Sequence, residues 1–333
     1  MSATELGGVL ATIGGTPLIA LERIGPAAGI QVFAKLEKFN PGGSVKDRTA
    51  MHMLHGKIRS GELVPGRSVV VESTSGNLGI GLAQICAYFG LDLICVVDAR
   101  TTAQTIALLR AYGAVVEVIT EAADGDLLGA RIARVQELVA RLPDAFWPNQ
   151  YANPLNAAAH EQTMREIVDS LDGRIDYLFC SVSTGGTLRG CAQQIRQNGL
   201  TTKLVAVDAV GSAIFHTPRG TRLLPGHGAA RRPPLVDTAG VSEIVHVTDL
   251  ECVRACRALV AREALLVGGS SGATVSALAK LRHRIPAGSR CVLLFPDDGN
   301  RYLDTIYSDS WVRDHFGDLT DPAPEPRPLA TTR

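Results

Sequence analysis

Lys46 is the residue of this chain that is most clearly placed to take part in chemistry. It lies just past a Pro-Gly-Gly turn, at the predicted start of a helix, within residues 40–48, NPGGSVKDR. A lysine amine held out of water can form an imine with a carbonyl cofactor and can later move protons. Taken alone, the motif also fits a surface lysine at a helix start, so this alternative stays open.

A second motif combines a strand, a hydroxyl-rich turn and a helix start. The turn follows an apolar run at 69–71 and holds Ser73, Thr74, Ser75, Gly76 and Asn77. Backbone N–H groups and the helix dipole at such a turn attract anions, and the hydroxyl groups add donors. The pattern predicts an anion site, with an ordinary helix cap as the alternative.

A third motif repeats this arrangement with more glycine. Ser183, Thr184, Gly185, Gly186 and Thr187 follow the apolar strand predicted at 177–180 and precede a helix. A glycine-rich turn at a helix N-terminus suits a phosphate group, although a plain strand-to-helix turn looks similar.

Together the three motifs resemble the fold-type II pyridoxal-phosphate enzymes, and within them the cysteine synthase and cystathionine β-synthase family. The resemblance runs from residues 13–18, IGGTPL, to residues 295–302, FPDDGNRY, and includes residues 267–273, VGGSSGA. It implies an α/β fold of the tryptophan synthase β type, in which two open twisted α/β lobes hold pyridoxal 5'-phosphate between them.

The resemblance also implies roles for single residues. Lys46 matches the catalytic lysine that holds the cofactor as an internal aldimine, and Asn77 matches the asparagine at the cofactor's phenolic oxygen. Ser270 matches the serine that faces the pyridine nitrogen. Residues 183–187 match the phosphate loop. The residues implied to bind the substrate carboxylate are Ser73, Thr74, Ser75, Gly76 and Gln150.

A serine at the pyridine nitrogen has a chemical consequence. The neutral hydroxyl group of Ser270 cannot hold that nitrogen protonated as an aspartate would, so the ring is a weaker electron sink. This favours loss and replacement of a β-substituent over transamination.

Composition fits an enzyme acting on small molecules. The 333 residues are 46% hydrophobic with a formal net charge of +0, which gives ample core material and no indication of a nucleic acid or membrane partner. The chain shows neither a signal-peptide pattern nor a membrane-spanning apolar run, so we expect a cytoplasmic protein. The seven cysteines are expected to be buried free thiols, and no metal site is predicted.

Alternating strand and helix patterns predict parallel sheets covered by helices, with ligands at the carboxyl ends of the strands. Strands are predicted at 31–36, 68–72, 92–97, 115–119, 177–181, 203–208 and 290–295. Helices are predicted at 45–60, 79–89, 102–112, 129–141, 156–171, 187–198, 249–263 and 272–284.

The resemblance implies the division into lobes. Residues 46–148 would form a smaller, mobile N-terminal lobe, and residues 1–45 with 149–318 the larger cofactor-binding lobe. The Pro-rich tail at 319–333 is predicted to be disordered. A homodimer is also implied.

Departures from the sulfhydrylase pattern bear on the reaction. Ser183 and Tyr151 stand where sulfhydrylases of the family usually have glycine and phenylalanine, and residues 98–104 and 225–232 differ too. Extra hydroxyl groups gain nothing for sulfide but help to bind a nucleophile that carries carboxylates. Arg131 could add a bidentate carboxylate contact, although a helical arginine is usually a solvated surface residue, so this alternative stays open. These departures resemble the N-(2-amino-2-carboxyethyl)-L-glutamate synthases, which make 2,3-diaminopropionate precursors for siderophores or peptide antibiotics.

The expected reaction is therefore β-replacement on O-phospho-L-serine through an α-aminoacrylate. L-Glutamate would be the nucleophile, the products would be N-(2-amino-2-carboxyethyl)-L-glutamate and phosphate, and Lys46 would move the α-proton. Three alternatives remain: a cysteine synthase that uses O-acetylserine or O-phosphoserine with sulfide, a serine or threonine dehydratase, and a non-catalytic binding protein on the same scaffold.

Overall fold

The computed structural model describes residues 7–24, 29–122, 126–215, 217–218 and 220–319, which fold into two β-sheets covered by helices. The strands are β1 (Leu18–Ala20), β2 (Gln31–Leu36), β3 (Val69–Ser73), β4 (Asp92–Asp98), β5 (Val115–Ile119), β6 (Ala145–Phe146), β7 (Tyr177–Ser181), β8 (Lys203–Ala209), β9 (Val241–Val247) and β10 (Arg290–Phe295). The helices are α1 (Lys46–Arg59), α2 (Asn77–Phe89), α3 (Ala103–Ala111), α4 (Leu127–Arg141), α5 (Pro154–Ser170), α6 (Gly186–Gln197), α7 (Asp249–Glu263), α8 (Gly269–Leu281) and α9 (Asp309–Phe316). Short 3-10 helices lie at Gly8–Thr12, Glu37–Phe39, Arg282–Arg284 and Gly299–Tyr302.

The strands form two separate, mostly parallel sheets. The larger sheet has the order β1-β2-β10-β7-β8-β9 and the smaller sheet the order β5-β4-β3-β6. The paired strands are parallel except for β1, which runs antiparallel to β2. The predicted α/β class is confirmed, and β1 corrects the expectation of purely parallel sheets. Only residues 21–30 separate β1 from β2 in the chain, and a connection this short joins antiparallel neighbours, because parallel neighbours need a longer crossover.

Apolar side chains cover both faces of each sheet. On β7, Phe179 packs into the core on one face of the larger sheet, while Leu178 and Cys180 pack into the core on the other. In the smaller sheet, Val70 and Val71 of β3 likewise enter different cores. Strands buried on both faces produce the continuous apolar runs that made them recognisable in the sequence. The seven cysteines are free and buried, as predicted.

A buried ionic network anchors helix α1. The Nε atom of Arg48 lies 2.7 Å from Oε2 of Glu37, and its Nη1 donates to Oε1 of Glu166 at 2.7 Å. The Nζ atom of Lys35 lies 2.7 Å from Oε2 of Glu166, so two cations balance two anions. The network joins β2, α1 and α5, and α1 begins with Lys46.

The strands of the smaller sheet fall within residues 46–148 and those of the larger sheet outside them. The lobe boundaries and the movement of the smaller lobe remain predictions. Of the tail predicted to be disordered, residues 320–333 lie outside the described residues. Within the described ranges, none of the helices combines the length and the apolar character needed to cross a membrane.

Candidate active site

Lys46 is the first residue of α1, directly after the predicted turn. The backbone N–H of Val45 donates to the carbonyl oxygen of Pro296 at 2.8 Å, which ties this turn to the end of β10. Burial of the Lys46 amine lowers its pKa to about 8, although the carboxylates of Asp297 and Glu37 oppose this effect. An amine with this pKa is partly uncharged near neutral pH and can act as a nucleophile or base.

The predicted phosphate loop lies beside Lys46. Residues 183–185 connect β7 to α6, and a small pocket is lined by Lys46, Ser183, Thr184, Gly185 and Thr187 among others. Gly185 has a φ of 89°, in the left-handed region that favours glycine. The N-cap residue of α6, Gly185, has no side chain to cap the helix, and the Thr184 hydroxyl group accepts from the N–H of Gly186 at a long 3.5 Å, so the first turn still directs N–H groups at the loop.

Asn156 holds this loop in place through hydrogen bonds. Its Nδ2 donates to Oγ1 of Thr184 at 3.0 Å and to the carbonyl oxygen of Gln150 at 2.8 Å. Its Oδ1 accepts a hydrogen bond from Thr49 Oγ1 at 3.2 Å. A Cβ atom at Gly186 would lie only 2.1 Å from this Oδ1, so the contact requires a glycine.

We expect Gly186→Ala to raise the dissociation constant for pyridoxal 5'-phosphate at least about tenfold, because the methyl group must displace Asn156 or the loop. Equilibrium dialysis of the cofactor measures this constant. The control is Gly56→Ala, since a Cβ atom at Gly56 meets nothing within 4 Å and alanine suits a helix interior. Equal affinity in both variants would contradict this description of the loop.

The predicted carboxylate loop, residues 73–76, connects β3 to α2. The Oγ atom of Ser73 is buried and has no hydrogen-bond partner among the described residues. A Cβ atom at Gly76 would meet nothing within 4 Å, so there is open space beside the loop. An unsatisfied hydroxyl group at the end of β3, on a loop that leads to the N-terminus of α2, is suited to bind a carboxylate.

Glu72 fixes the geometry of this loop, a role that the sequence did not reveal. Its Oε1 accepts hydrogen bonds from Trp147 Nε1 at 3.0 Å and from the backbone N–H of Ser73 at 2.9 Å. Its Oε2 accepts one from the backbone N–H of Gln150 at 3.3 Å. Burial raises the pKa of Glu72 to about 7. A polar residue near the carboxyl end of an apolar strand was the available signal.

Arg131 lies on α4 and reaches the same loop. It is 7% exposed, so the alternative of a solvated surface arginine is wrong. Its Nη1 donates to Oγ of Ser75, and its Nε lies 3.4 Å from Oδ2 of Asp98. The Ser75 hydroxyl group also donates to that Oδ2 at 3.3 Å. Burial raises the pKa of Tyr151, and the positive charge of Arg131 acts against this.

Asn77 and Ser270 come from helices on different sheets. The Nδ2 atom of Asn77 donates to Oδ2 of Asp297 at 2.9 Å, which links α2 to the end of β10. Ser270, 3% exposed, lies in the first turn of α8. The N-cap of α8, Gly268, donates its N–H to the carbonyl oxygen of Asp297 at 3.3 Å. Asn77 therefore contacts Asp297 directly, while Ser270 lies two residues after a glycine that contacts it.

The residues present fit pyridoxal 5'-phosphate. Lys46 supplies an amine of lowered pKa for its aldehyde group, and the start of α6, in the same pocket, supplies N–H groups for its phosphate. Asn77, bonded to Asp297, and Ser270, in the first turn of α8, add polar groups to the fit. The role of each residue toward the cofactor remains a prediction.

Comparisons with known proteins agree with this geometry. A family model described as pyridoxal-phosphate dependent enzyme matches residues 9–297. N-(2-amino-2-carboxyethyl)-L-glutamate synthase from Cupriavidus metallidurans is 43% identical over 309 residues, which are 91% of this chain and 90% of that protein.

Solved structures are similar over nearly the whole chain. A mutant of O-ureido-L-serine synthase with O-ureido-L-serine bound has a TM-score of 0.84 at 30% identity, covering 96% of this chain and 97% of that one. O-acetylserine dependent cystathionine β-synthase from Helicobacter pylori also has a TM-score of 0.84, at 31% identity, covering 91% of this chain and 99% of its own. The predicted family, fold and cofactor are thus confirmed. The chain belongs to the pyridoxal-phosphate dependent enzymes of fold type II, and pyridoxal 5'-phosphate is its cofactor.

Proposed function

We propose that the enzyme replaces the phosphate group of O-phospho-L-serine with L-glutamate, which gives N-(2-amino-2-carboxyethyl)-L-glutamate and phosphate. The observation that carries the proposal is 43% identity, over 91% of this chain, to a protein named for that product. Ser183 lines the pocket with Lys46, and Arg131 reaches the Ser75 hydroxyl group of the carboxylate loop. With Tyr151 they would supply the polar groups that a carboxylate-bearing nucleophile requires.

Lys46 is the group that moves the α-proton in this proposal. The bound cofactor supplies an electron sink that acidifies the α-proton of an amino acid and lets its β-substituent leave. Because burial lowers the pKa of the Lys46 amine to about 8, a sizeable fraction is uncharged near neutral pH. Nζ takes the α-proton in the first half-reaction and returns a proton to the same carbon in the second.

The donor substrate is oriented by its α-carboxylate. The unsatisfied Ser73 hydroxyl group and the start of α2 bind this carboxylate, while Glu72 and Gln150 keep the loop in place. With the carboxylate fixed, the α-proton faces Lys46 and the Cβ–O bond is free to break. Phosphate leaves with the bonding electron pair.

The nucleophile binds on the side of Arg131. The Nε atom of Arg131 is buried and makes no hydrogen bond with the described residues, although it lies 3.4 Å from Oδ2 of Asp98, so a carboxylate of the nucleophile would bind beside Asp98 or displace it. Asp98 lies between Arg131 at 3.4 Å and Arg100 at 3.7 Å, which leaves two cations against one anion. This excess positive charge suits L-glutamate. Its ammonium group loses a proton to solvent, and its nitrogen then forms the new bond to Cβ.

Ser183→Gly combined with Tyr151→Phe should impair use of glutamate more than release of phosphate. Loss of hydrogen bonds to a charged carboxylate is expected to reduce adduct formation at least about tenfold. Single-turnover assays measure phosphate release and adduct formation separately. Tyr177→Phe is the matched control, because it removes a tyrosine hydroxyl group that contacts Lys203 away from the site. Equal losses in the two half-reactions would refute the role of Ser183 and Tyr151.

The oligomeric state, the cellular location and the use of the product are part of the same proposal. We infer a cytoplasmic homodimer whose smaller lobe, residues 46–148, closes on the substrate. Its product would lead to 2,3-diaminopropionate for a siderophore or peptide antibiotic. Light scattering on the purified protein tests the dimer, for which a mass near the 35.2 kDa of one chain would be contradictory.

A further inference from the structure

Asp297 is a buried carboxylate that the proposed function leaves without a role. It follows β10 and is 1% exposed. Its Oδ2 accepts hydrogen bonds from Asn77 Nδ2 at 2.9 Å and from the Tyr302 hydroxyl group at 2.5 Å, and Arg301 Nη2 lies 3.6 Å away. Its Oδ1 is also buried but has no hydrogen-bond partner in the described part of the chain.

An unpaired oxygen on a buried carboxylate is costly, so its position calls for an explanation. The chain makes room for it, since a Cβ atom at Gly268 would lie only 2.0 Å from Oδ1. A purely structural carboxylate would be expected to use both oxygen atoms in hydrogen bonds. Oδ1 is therefore a candidate partner for a positive charge within the site.

Two cationic side chains lie near Asp297: Arg301, whose Nη2 is 3.6 Å from Oδ2, and Lys46 on the neighbouring segment. An isolated β-bridge pairs Asp297 with Ser44, two residues before Lys46. The N–H of Val45 bonds to the carbonyl oxygen of Pro296 at 2.8 Å, which fixes the two segments side by side. Among the charged groups that act on Lys46, the carboxylate of Asp297 has the largest effect and favours the protonated amine.

We propose that Asp297 is a positioning residue of the cofactor site, in which Oδ2 orients the Asn77 amide and Oδ1 balances positive charge on the Lys46 nitrogen. The amide nitrogen of Asn77 has two N–H bonds, so binding one of them to Asp297 leaves the other to face the cofactor. This inference rests on the proposed function only in taking Lys46 and Asn77 as cofactor-binding residues.

The proposal complements the neutral partner expected at the pyridine nitrogen. If Ser270 leaves the pyridine nitrogen unprotonated, a proton that helps to activate the substrate would have to be held on another nitrogen of the cofactor site. A carboxylate beside Lys46 would favour protonation of the nitrogen through which Lys46 binds the cofactor. Activation of the substrate would then depend on Asp297 as well as on the ring.

The test compares Asp297→Asn with Asp298→Asn in the cofactor-loaded enzyme. Asp298 is the adjacent carboxylate, but it pairs with Lys38 at 3.4 Å instead. Titration of the visible cofactor band against pH reports protonation of the shared nitrogen. We expect the band of the protonated form to be lost about 1 pH unit lower in Asp297→Asn than in the wild type, and Asp298→Asn to match the wild type.

A second measurement follows Lys46 without the cofactor. Competitive labelling of the cofactor-free full chain with acetic anhydride, read by mass spectrometry across pH, gives the pKa of Lys46. The wild-type pKa should be about 8 and that of Asp297→Asn lower. Because this measurement involves neither donor nor nucleophile, its failure is distinguishable from failure of the proposed reaction.

Two results would overturn the inference. The first is a folded Asp297→Asn enzyme whose titration and Lys46 pKa equal those of the wild type, because a carboxylate that only stabilises the start of α8 would behave in this way. The second is loss of the fold in both Asp297→Asn and Asp297→Ser while Asp298→Asn folds. That result would assign Asp297 a purely structural role.

Discussion

Replacing Lys46 by alanine is expected to reduce turnover of O-phospho-L-serine with L-glutamate by about 10³-fold, within the range lost with a general acid–base group. The residue lines the same pocket as the phosphate loop, and burial lowers the pKa of its amine to about 8. Alanine removes both the covalent anchor for the cofactor and the base for the α-proton. Steady-state phosphate release measures the loss of turnover.

Borohydride reduction followed by peptide mass spectrometry provides a direct companion to this assay. It should attach the cofactor to Lys46 in the wild type and to no residue in Lys46→Ala. The control is Lys57→Ala on the same helix, where the amine pairs with Glu62 at 2.6 Å, and this variant should retain full activity. Wild-type turnover by Lys46→Ala would exclude the assigned chemistry.

Replacing Arg48 by alanine should lower the free energy of unfolding by about 3–5 kcal/mol, the usual cost of breaking a buried ion pair. Glu37 is fully buried and would lose the guanidinium group whose Nε lies 2.7 Å from its Oε2. Glu166 would lose a second contact, at 2.6 Å. The uncompensated negative charge left inside the protein accounts for the size of the effect. Urea denaturation at neutral pH measures the difference.

The matched control is an arginine of the surface. Arg134 pairs with Glu117 and Glu137 at 2.8 Å each, but its side chain is in contact with water. Exposed ion pairs contribute little, so Arg134→Ala should leave the urea midpoint nearly unchanged. If Arg48→Ala and Arg134→Ala shift the midpoint equally, the buried network does not stabilise α1 as described.

The predicted elements succeeded where burial leaves a simple pattern. β7 and β10 are covered on both faces, so their sequences are continuous apolar runs. β9 was not predicted because its residues range from exposed to buried, so its sequence has no continuous apolar run. β6 was not predicted because it has only two residues. The helix predicted at 272–284 begins earlier, at Gly269, since glycine and serine favour loops in sequence but form the first turn of α8 here.

The candidate site was predictable only in part. The loops at 73–76 and 183–185 follow strands, so they could be assigned to the carboxyl ends of the sheets from the pattern alone. The contacts of Asp98 and Asp297 could not, because they depend on residues distant in the chain. Asn77 and Asp297, for example, are separated by 220 positions. The periodicity of a local sequence segment contains no information about contacts between residues so far apart.

One experiment tests the choice of nucleophile most directly. The cofactor-loaded enzyme is mixed with O-phospho-L-serine, the sample is divided between L-glutamate and sulfide, and the products are identified by mass spectrometry. The proposal predicts an adduct of glutamate with the three-carbon unit and little cysteine. Cysteine with sulfide, and no adduct with glutamate, would contradict it and identify the enzyme as a sulfhydrylase.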